Sequence, residues 1–169
     1  MKDAKIRKLV MSALLAALVF VATMVIRIPS PTGGYVNLGD GFVLLSGWLL
    51  GPWYGAAAAG IGAMLTDLLA GYTYYVPATL IIKALDAMVA ALIWRSMGRK
   101  RGALIVSGIV GELIMVAGYF GFTALLLGKG LGASLSIPGD LVQGATGIVI
   151  GIVLMKLFER SKILDNLMK

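Results

Sequence analysis

The 169-residue chain contains no cysteine and no histidine. Thiolate and imidazole metal centres, Cys- or His-based catalysis and disulfides are therefore excluded, and no metal or cofactor is expected. A GxxxxGK[ST] phosphate loop is also missing. Gly128-Lys129-Gly130 has neither the preceding spacing nor the hydroxyl residue, so the chain cannot hydrolyse ATP itself. Nor are there paired inverted repeats with broken helices, the mark of many ion-coupled carriers, because the two halves differ in charge and glycine pattern. Acidic residues number only eight.

Apolar residues fill the space left by these absences. Hydrophobic residues make up 59% of the chain and its mean hydropathy is +0.94, far above a soluble norm. The expected class is an all-α integral membrane protein in a single domain covering residues 1–169. The net charge of +7 does not indicate nucleic acid, because the basic residues flank long apolar spans and do not line a polar surface. Twelve of the fifteen lysines and arginines lie in three polar segments. These are Lys2, Lys5, Arg7 and Lys8; Arg95, Arg99, Lys100 and Arg101; and Lys156, Arg160, Lys162 and Lys169. Cationic loops stay on the cytoplasmic face, so all three segments, and with them both termini, are placed inside.

Runs of apolar residues broken by Gly, Pro and charge predict six transmembrane helices at 9–28, 40–50, 53–70, 77–95, 103–127 and 139–158. The first follows basic residues as a signal peptide would, but its length and the lack of a small-residue cleavage site make it a retained helix. The second is short. At 1.5 Å per residue it reaches only about 17 Å, against roughly 30 Å of hydrocarbon. Merging it with the third across Gly51-Pro52-Trp53 would put the Arg95–Arg101 loop outside, so the two are separate. A helix that begins below the outer surface requires loop 29–39 to dip into the protein, which irregular backbone tolerates only where it lines a cavity. Trp48, Trp53 and Trp94 are expected as anchors at the inner boundary, and Tyr35, Tyr72, Tyr74 and Tyr75 at the outer one. Small residues allow close packing: Ala13 and Ala17 on helix 1, Gly55-Ala-Ala-Ala-Ala-Gly60-Ile-Gly62 on helix 3, and Gly147 with Gly151 on helix 6. The Ser12, Ala13, Ala16 and Ala17 patch is either internal packing or a partner-facing surface.

Five acidic residues fall in or at the edge of spans: Asp40, Asp67, Asp86, Glu112 and Asp140. Asp40 and Asp140 open helices, where a carboxylate caps orphan N–H groups or meets a ligand. Asp67 lies a turn before the outer end of helix 3. Lys83 lies about 9 Å below the outer end of helix 4, with Asp86 a turn deeper on the same face, and Glu112 about 14 Å from the inner start of helix 5. Each ion near the bilayer centre costs about 2.5–3.5 kcal/mol, so these groups need partners or a watery cavity. A Lys83–Asp86 pair would satisfy two of them and leave Glu112 alone. Tyr119 stands two turns above Glu112, Gln143 one turn below Asp140, and Tyr72 and Tyr75 at the rim. Rings together with a few directed polar groups suit a small, flat, polar molecule.

The run Ile28-Pro-Ser-Pro-Thr-Gly-Gly-Tyr-Val-Asn-Leu-Gly-Asp40, the Leu50-Gly-Pro-Trp-Tyr-Gly55 hairpin, Asp67 with Gly71-Tyr72, and Pro77-Ala-Thr-Leu-Ile-Ile-Lys83 carry a resemblance. In their order and spacing they resemble the substrate-binding S components of energy-coupling factor (ECF) vitamin transporters, of the riboflavin-type or hydroxymethylpyrimidine/pyridoxine-type branch. The resemblance implies a multi-pass protein of the bacterial cell membrane that binds a vitamin or precursor from outside and performs no catalysis. It also implies partners, a transmembrane T subunit and two cytoplasmic ATPases, with a toppling motion that releases the cargo. Ala13 and Ala17 would dock on the T subunit, and Asn37, Asp40 and Lys83 match the family's binding region. A pyridoxine-like or pyrimidine substrate fits the acidic surplus, and riboflavin stays open. The alternatives are an integral membrane enzyme acting on lipids, with Glu112 or Asp86 as acid or base, and a stand-alone ion-coupled carrier.

Overall fold

A computed structural model describes residues 2–161, with side chains from residue 5. Lys162, Lys169 and the side chain of Lys2, assigned above to the basic segments, lie outside the described residues. Six α-helices follow one another: α1 (Lys2–Val25), α2 (Asp40–Leu50), α3 (Pro52–Ala70), α4 (Val76–Ser96), α5 (Arg101–Gly121) and α6 (Ile137–Arg160). Between α1 and α2 two short strands, β1 (Arg27–Pro29) and β2 (Tyr35–Asn37), pair antiparallel with Ile28 opposite Val36. A π-helical turn (Phe122–Leu126) and a 3-10 segment (Gly130–Ser136) connect α5 to α6.

Four spans are long and apolar enough to cross a membrane by length and composition: Lys5–Val25, Val76–Ser96, Arg101–Leu126 and Gly130–Arg160. The remaining two helices are α2, only 11 residues long, and α3, 19 residues built largely of glycine and alanine. Three of the expected boundaries move, one of them the end of the first helix, which stops at Val25 because Arg27–Pro29 pair as β1. The first helix extends back through its basic residues, which are good helix formers, and the fifth ends at Gly121, where the backbone widens into the π turn.

The short helix is the centre of the bundle. It packs against α1, α3, α4 and α6, and eight of its eleven residues are buried. A helix that is apolar on all sides belongs in a core. Gly51, at φ 86°, reverses the chain directly into Pro52 at the start of α3. Only glycine adopts that backbone geometry cheaply.

Small residues bring the helices into backbone contact. A Cβ on Gly55 would lie 2.5 Å from the Ser46 carbonyl oxygen, and one on Gly60 would lie 2.7 Å from that of Leu80. At Gly62 it would meet the Ala16 carbonyl, so Ala16 faces α3, while Ala13 and Ala17 stay exposed. The tryptophan expectation needs correcting. Trp53 is exposed, but Trp48 and Trp94 retain only 2% and 7% of their accessible surface. Trp48 belongs to the core with Leu15, Leu44 and Met155, and its indole N–H donates to Ser107 Oγ at 3.1 Å. A central α2 leaves its indole no route to the headgroups.

Gly47 on α2 sits against the backbone of Ala87 on α4. Gly47→Val should therefore lower stability by about 1–3 kcal/mol through overpacking, read as a lower thermal unfolding midpoint in detergent. Gly102→Val, where a Cβ meets nothing within 4 Å, serves as the comparison.

Candidate functional site

Lys83 lies seven residues into α4, about 10 Å from its outer end, and is 3% exposed. Its ammonium pairs with Asp40 Oδ1, the first residue of α2. The Lys83–Asp86 pair expected from helical spacing does not form: Asp86 lies on the same helix but makes no side-chain hydrogen bond among the described residues. Asp40 is not an N-cap either, since Gly39 holds that position. The second oxygen of Asp40 accepts from Gln143 Nε2 at 2.7 Å, and Gln143 Oε1 in turn accepts from the Asn37 backbone N–H at 2.7 Å. Asn37 Oδ1 then takes the Gly39 N–H at 2.8 Å. One glutamine from α6 thus holds both the β2 strand and the start of α2, which places the hairpin end below the outer surface as the short helix required.

Above this pair lies a cavity of about 50 Å³. Its wall includes Asn37, Asp40, Asp67, Tyr75, Lys83, Tyr119, Asp140 and Gln143. Two other residues singled out in the sequence are elsewhere. Tyr72 packs its ring on Tyr35 at 4.8 Å, one layer out. Glu112 is buried behind Asp40, against Gly144 and Gly147 of α6.

Sequence reasoning missed the hydroxyl lining: Thr23, Ser30, Thr32, Tyr35, Thr79, Thr123 and Ser136. A signal for some of it was present. Thr79 precedes Lys83 by four residues, Thr123 follows Tyr119 by four, and Ser136 precedes Asp140 by four, so each shares a helical face with a residue already chosen. Tyr119 donates to Thr79 Oγ1 at 3.1 Å, and the Tyr75 and Thr123 hydroxyls are 3.2 Å apart. Tyr75 also packs on Tyr119, with ring centroids 6.2 Å apart, and on Phe122 at 5.3 Å.

The outer lid is the β hairpin. Tyr35 donates to Asp67 Oδ1 at 2.5 Å, so Asp67 is both paired and buried. Burial first, and then the Asp67 carboxylate, pushes the Tyr35 phenol well above its ordinary pKa, which keeps it a donor. The turn between the strands is held by Lys129, which donates to the Thr32 carbonyl, and by Tyr74, which donates to that of Gly33 at 3.0 Å. Two acidic groups stand in different states. Asp40 is fully paired, whereas Asp140 Oδ2 is buried at the cavity wall without a hydrogen-bond partner among the described residues. An unpaired carboxylate oxygen beside aromatic rings and hydroxyls can accept from an N–H or from a protonated basic nitrogen.

The chain matches the family described as ECF-type riboflavin transporter, S component, over residues 3–160. The thiamine precursor transporter HmpT of Lactococcus lactis subsp. cremoris (strain MG1363) is 30% identical to it over 174 residues, covering 100% of this chain and 98% of that protein. A Pyrococcus woesei protein described as an uncharacterized protein in gap 3'region is 37% identical over 135 residues, covering 79% of this chain and 88% of that one. The fold is similar to a solved structure described as "Structure and mechanism of the S component of a bacterial ECF transporter". The TM-score is 0.64 and the identity 25%, over 98% of this chain and 99% of that one.

Lys83→Met should cost about 3–5 kcal/mol, because it leaves the Asp40 carboxylate buried without its counter-ion. Combining it with Asp40→Asn should recover most of that loss. A double-mutant cycle on unfolding midpoints reads the coupling, and equal losses in the single and double variants would show that the pair is not the cause.

Proposed function

Since this chain belongs to the S-component family of ECF-type riboflavin transporters, we propose that its outer cavity binds a one-ring heteroaromatic vitamin precursor of the pyrimidine or pyridine kind. S components are membrane subunits that bind vitamin substrates and work with a T subunit and ATPase subunits; they are not enzymes. The lipid-enzyme alternative therefore falls. The missing phosphate loop agrees with an energy source in partner subunits.

The observation that carries the substrate reading is the cavity with its unpaired acceptor. About 50 Å³, at 10–15 Å³ per water, corresponds to roughly four waters, or on the order of 120 Å³ of liquid. That is the scale of a single substituted ring. Asp140 Oδ2 supplies an acceptor for an amino group or a protonated ring nitrogen, Tyr75 and Tyr119 supply faces for stacking, and Asn37 with the surrounding hydroxyls supplies exchangeable donors. The Lactococcus relative is described as transporting a thiamine precursor, and the pyrimidine half of that vitamin is such a ring. Riboflavin, which the family description names, is the second reading. Its three fused rings require the Ser30–Gly34 turn to move outward. On the membrane side, the exposed Ala13 and Ala17 on α1 fit a docking face for the T subunit, because small side chains let a partner helix approach closely.

Purified protein should bind hydroxymethylpyrimidine, and pyridoxine more weakly, in preference to riboflavin in an equilibrium competition. Asp140→Asn should weaken binding about tenfold to a hundredfold, the loss of one charge-assisted hydrogen bond. Tighter riboflavin binding would reverse the size argument, and unchanged affinity in Asp140→Asn would remove the acceptor. In vesicles, uptake should require the T subunit, the ATPases and internal ATP. A large residue at Ala13 or Ala17 should abolish uptake while binding persists.

A further inference from the structure

Behind the cavity, α2, α4 and α5 converge on three carboxylates: Asp40, Asp86 and Glu112, which are 0%, 0% and 4% exposed. One oxygen of each lies within 4.8 Å of the other two. Asp40 is engaged by Lys83 and Gln143. Neither oxygen of Asp86 and neither oxygen of Glu112 has a hydrogen-bond partner among the described residues, although all four are shielded from solvent.

The backbone around these oxygens is cut back to glycine. A Cβ on Gly147 would lie 2.9 Å from Glu112 Oε1, one on Gly144 would lie 3.2 Å from Oε2, and one on Gly111 would overlap Asp86 Oδ1. Helices α5 and α6 therefore carry no side chain at the three points the carboxylates pass. Lys83 balances one of the three negative charges, which leaves an excess of two at a depth where each uncompensated ion is costly.

We propose that Asp40, Asp86 and Glu112 bind one divalent hard cation, best matched by Ca²⁺, beneath the substrate cavity. The chemistry of the donors selects its class. Three carboxylates and no sulfur or imidazole favour hard cations. Two oxygens on a common ion at about 2.3–2.6 Å are separated by at most about 4.6–5.2 Å, which the observed spacing satisfies. A charge of two restores neutrality. Mg²⁺ demands a near-ideal octahedron and holds its waters, whereas Ca²⁺ accepts the irregular coordination that carboxylates from three separate helices offer. Asp40 belongs to both the cavity wall and the cluster. The ion therefore loads from the outer face through the substrate cavity, and a seated substrate obstructs its return. The cluster's affinity for the ion does not depend on which substrate the cavity takes.

The test titrates Ca²⁺, Mg²⁺ and Na⁺ separately, by calorimetry, into chelator-treated full-length protein in nanodiscs without vitamin. One Ca²⁺ per chain is expected, with a raised unfolding temperature that a chelator reverses. Glu112→Gln and Asp86→Asn should each weaken Ca²⁺ by roughly tenfold or more, while the exposed Glu159→Gln should not. Absence of stoichiometric Ca²⁺ binding overturns the assignment, as does saturation by Na⁺ alone or unchanged affinity in both carboxylate variants. If the variants do not fold, infrared spectra of the wild type decide. A carboxylate stretch that shifts on adding Ca²⁺ supports the site. A protonated-carboxyl band that Ca²⁺ leaves in place means that protons neutralise the cluster instead.

Discussion

An ammonium that enters a membrane protein must find its counter-charge, and here that requirement is met by Lys83 and Asp40 across α4 and α2. Lys83 lies about 10 Å inside the outer end of α4, so the first residue of α2 is held at the same depth. The chain between the end of α1 and Asp40 must then turn back inward, which it does as the β1–β2 hairpin. Buried ion pairs are weak contributors to net stability, since desolvation offsets most of the attraction. Their effect here is geometric. The pair sets where a helix begins, and Gln143 extends that setting to α6 and β2 through two hydrogen bonds.

The remainder of the bundle divides according to that depth. Towards the inner end, Leu15, Leu44, Leu45, Trp48, Trp94 and Met155 form a dry core, and glycines let α2 lie against α3, α4 and α6 at backbone distance. Towards the outer end, side chains that would be expensive in lipid face one another around a cavity. Helices in a bilayer gain little from burying apolar surface and associate mainly through close packing. Close glycine contacts along the helices therefore hold the polar cavity in shape.

Much of this was legible from residue order. The charge segments required six helices, and the length of the second implied an inserted loop, because both arguments rest on bilayer dimensions that hold for any fold. The outer acidic cluster was legible for the same reason: an ion in an apolar run is conspicuous. What the sequence did not disclose was pairing across helices. Lys83 and Asp86 are neighbours by spacing, yet Lys83 turns to Asp40, forty-three residues away, and rotation of α4 about its axis is decided by packing that one chain's periodicity does not contain. The tryptophans misled similarly. Indoles near basic residues suggest an interface, but a helix enclosed by four others places its indole in the core. The hydroxyls were missed because serine and threonine are commonplace in membrane helices and carry no cost that would mark them.

The position of α1 bears on how such a binding subunit can answer to partners that supply the energy. Only Thr23 of α1 reaches the cavity wall, so the exposed face of α1 lies away from the cavity. Besides its contacts with α2 and β2, α1 packs closely on α3. Ala16 lies on Gly62, and Thr66 reaches the Phe20 carbonyl at 3.3 Å. The next residue on α3, Asp67, holds Tyr35 of the hairpin. One path from α1 to the hairpin therefore passes through a tight helix contact and a hydrogen bond, beside the direct chain link from Val25 into β1. Coupling of this kind needs an element with two arrangements. The hairpin turn hangs on Lys129 and Tyr74, whereas the helices beneath it meet backbone to backbone.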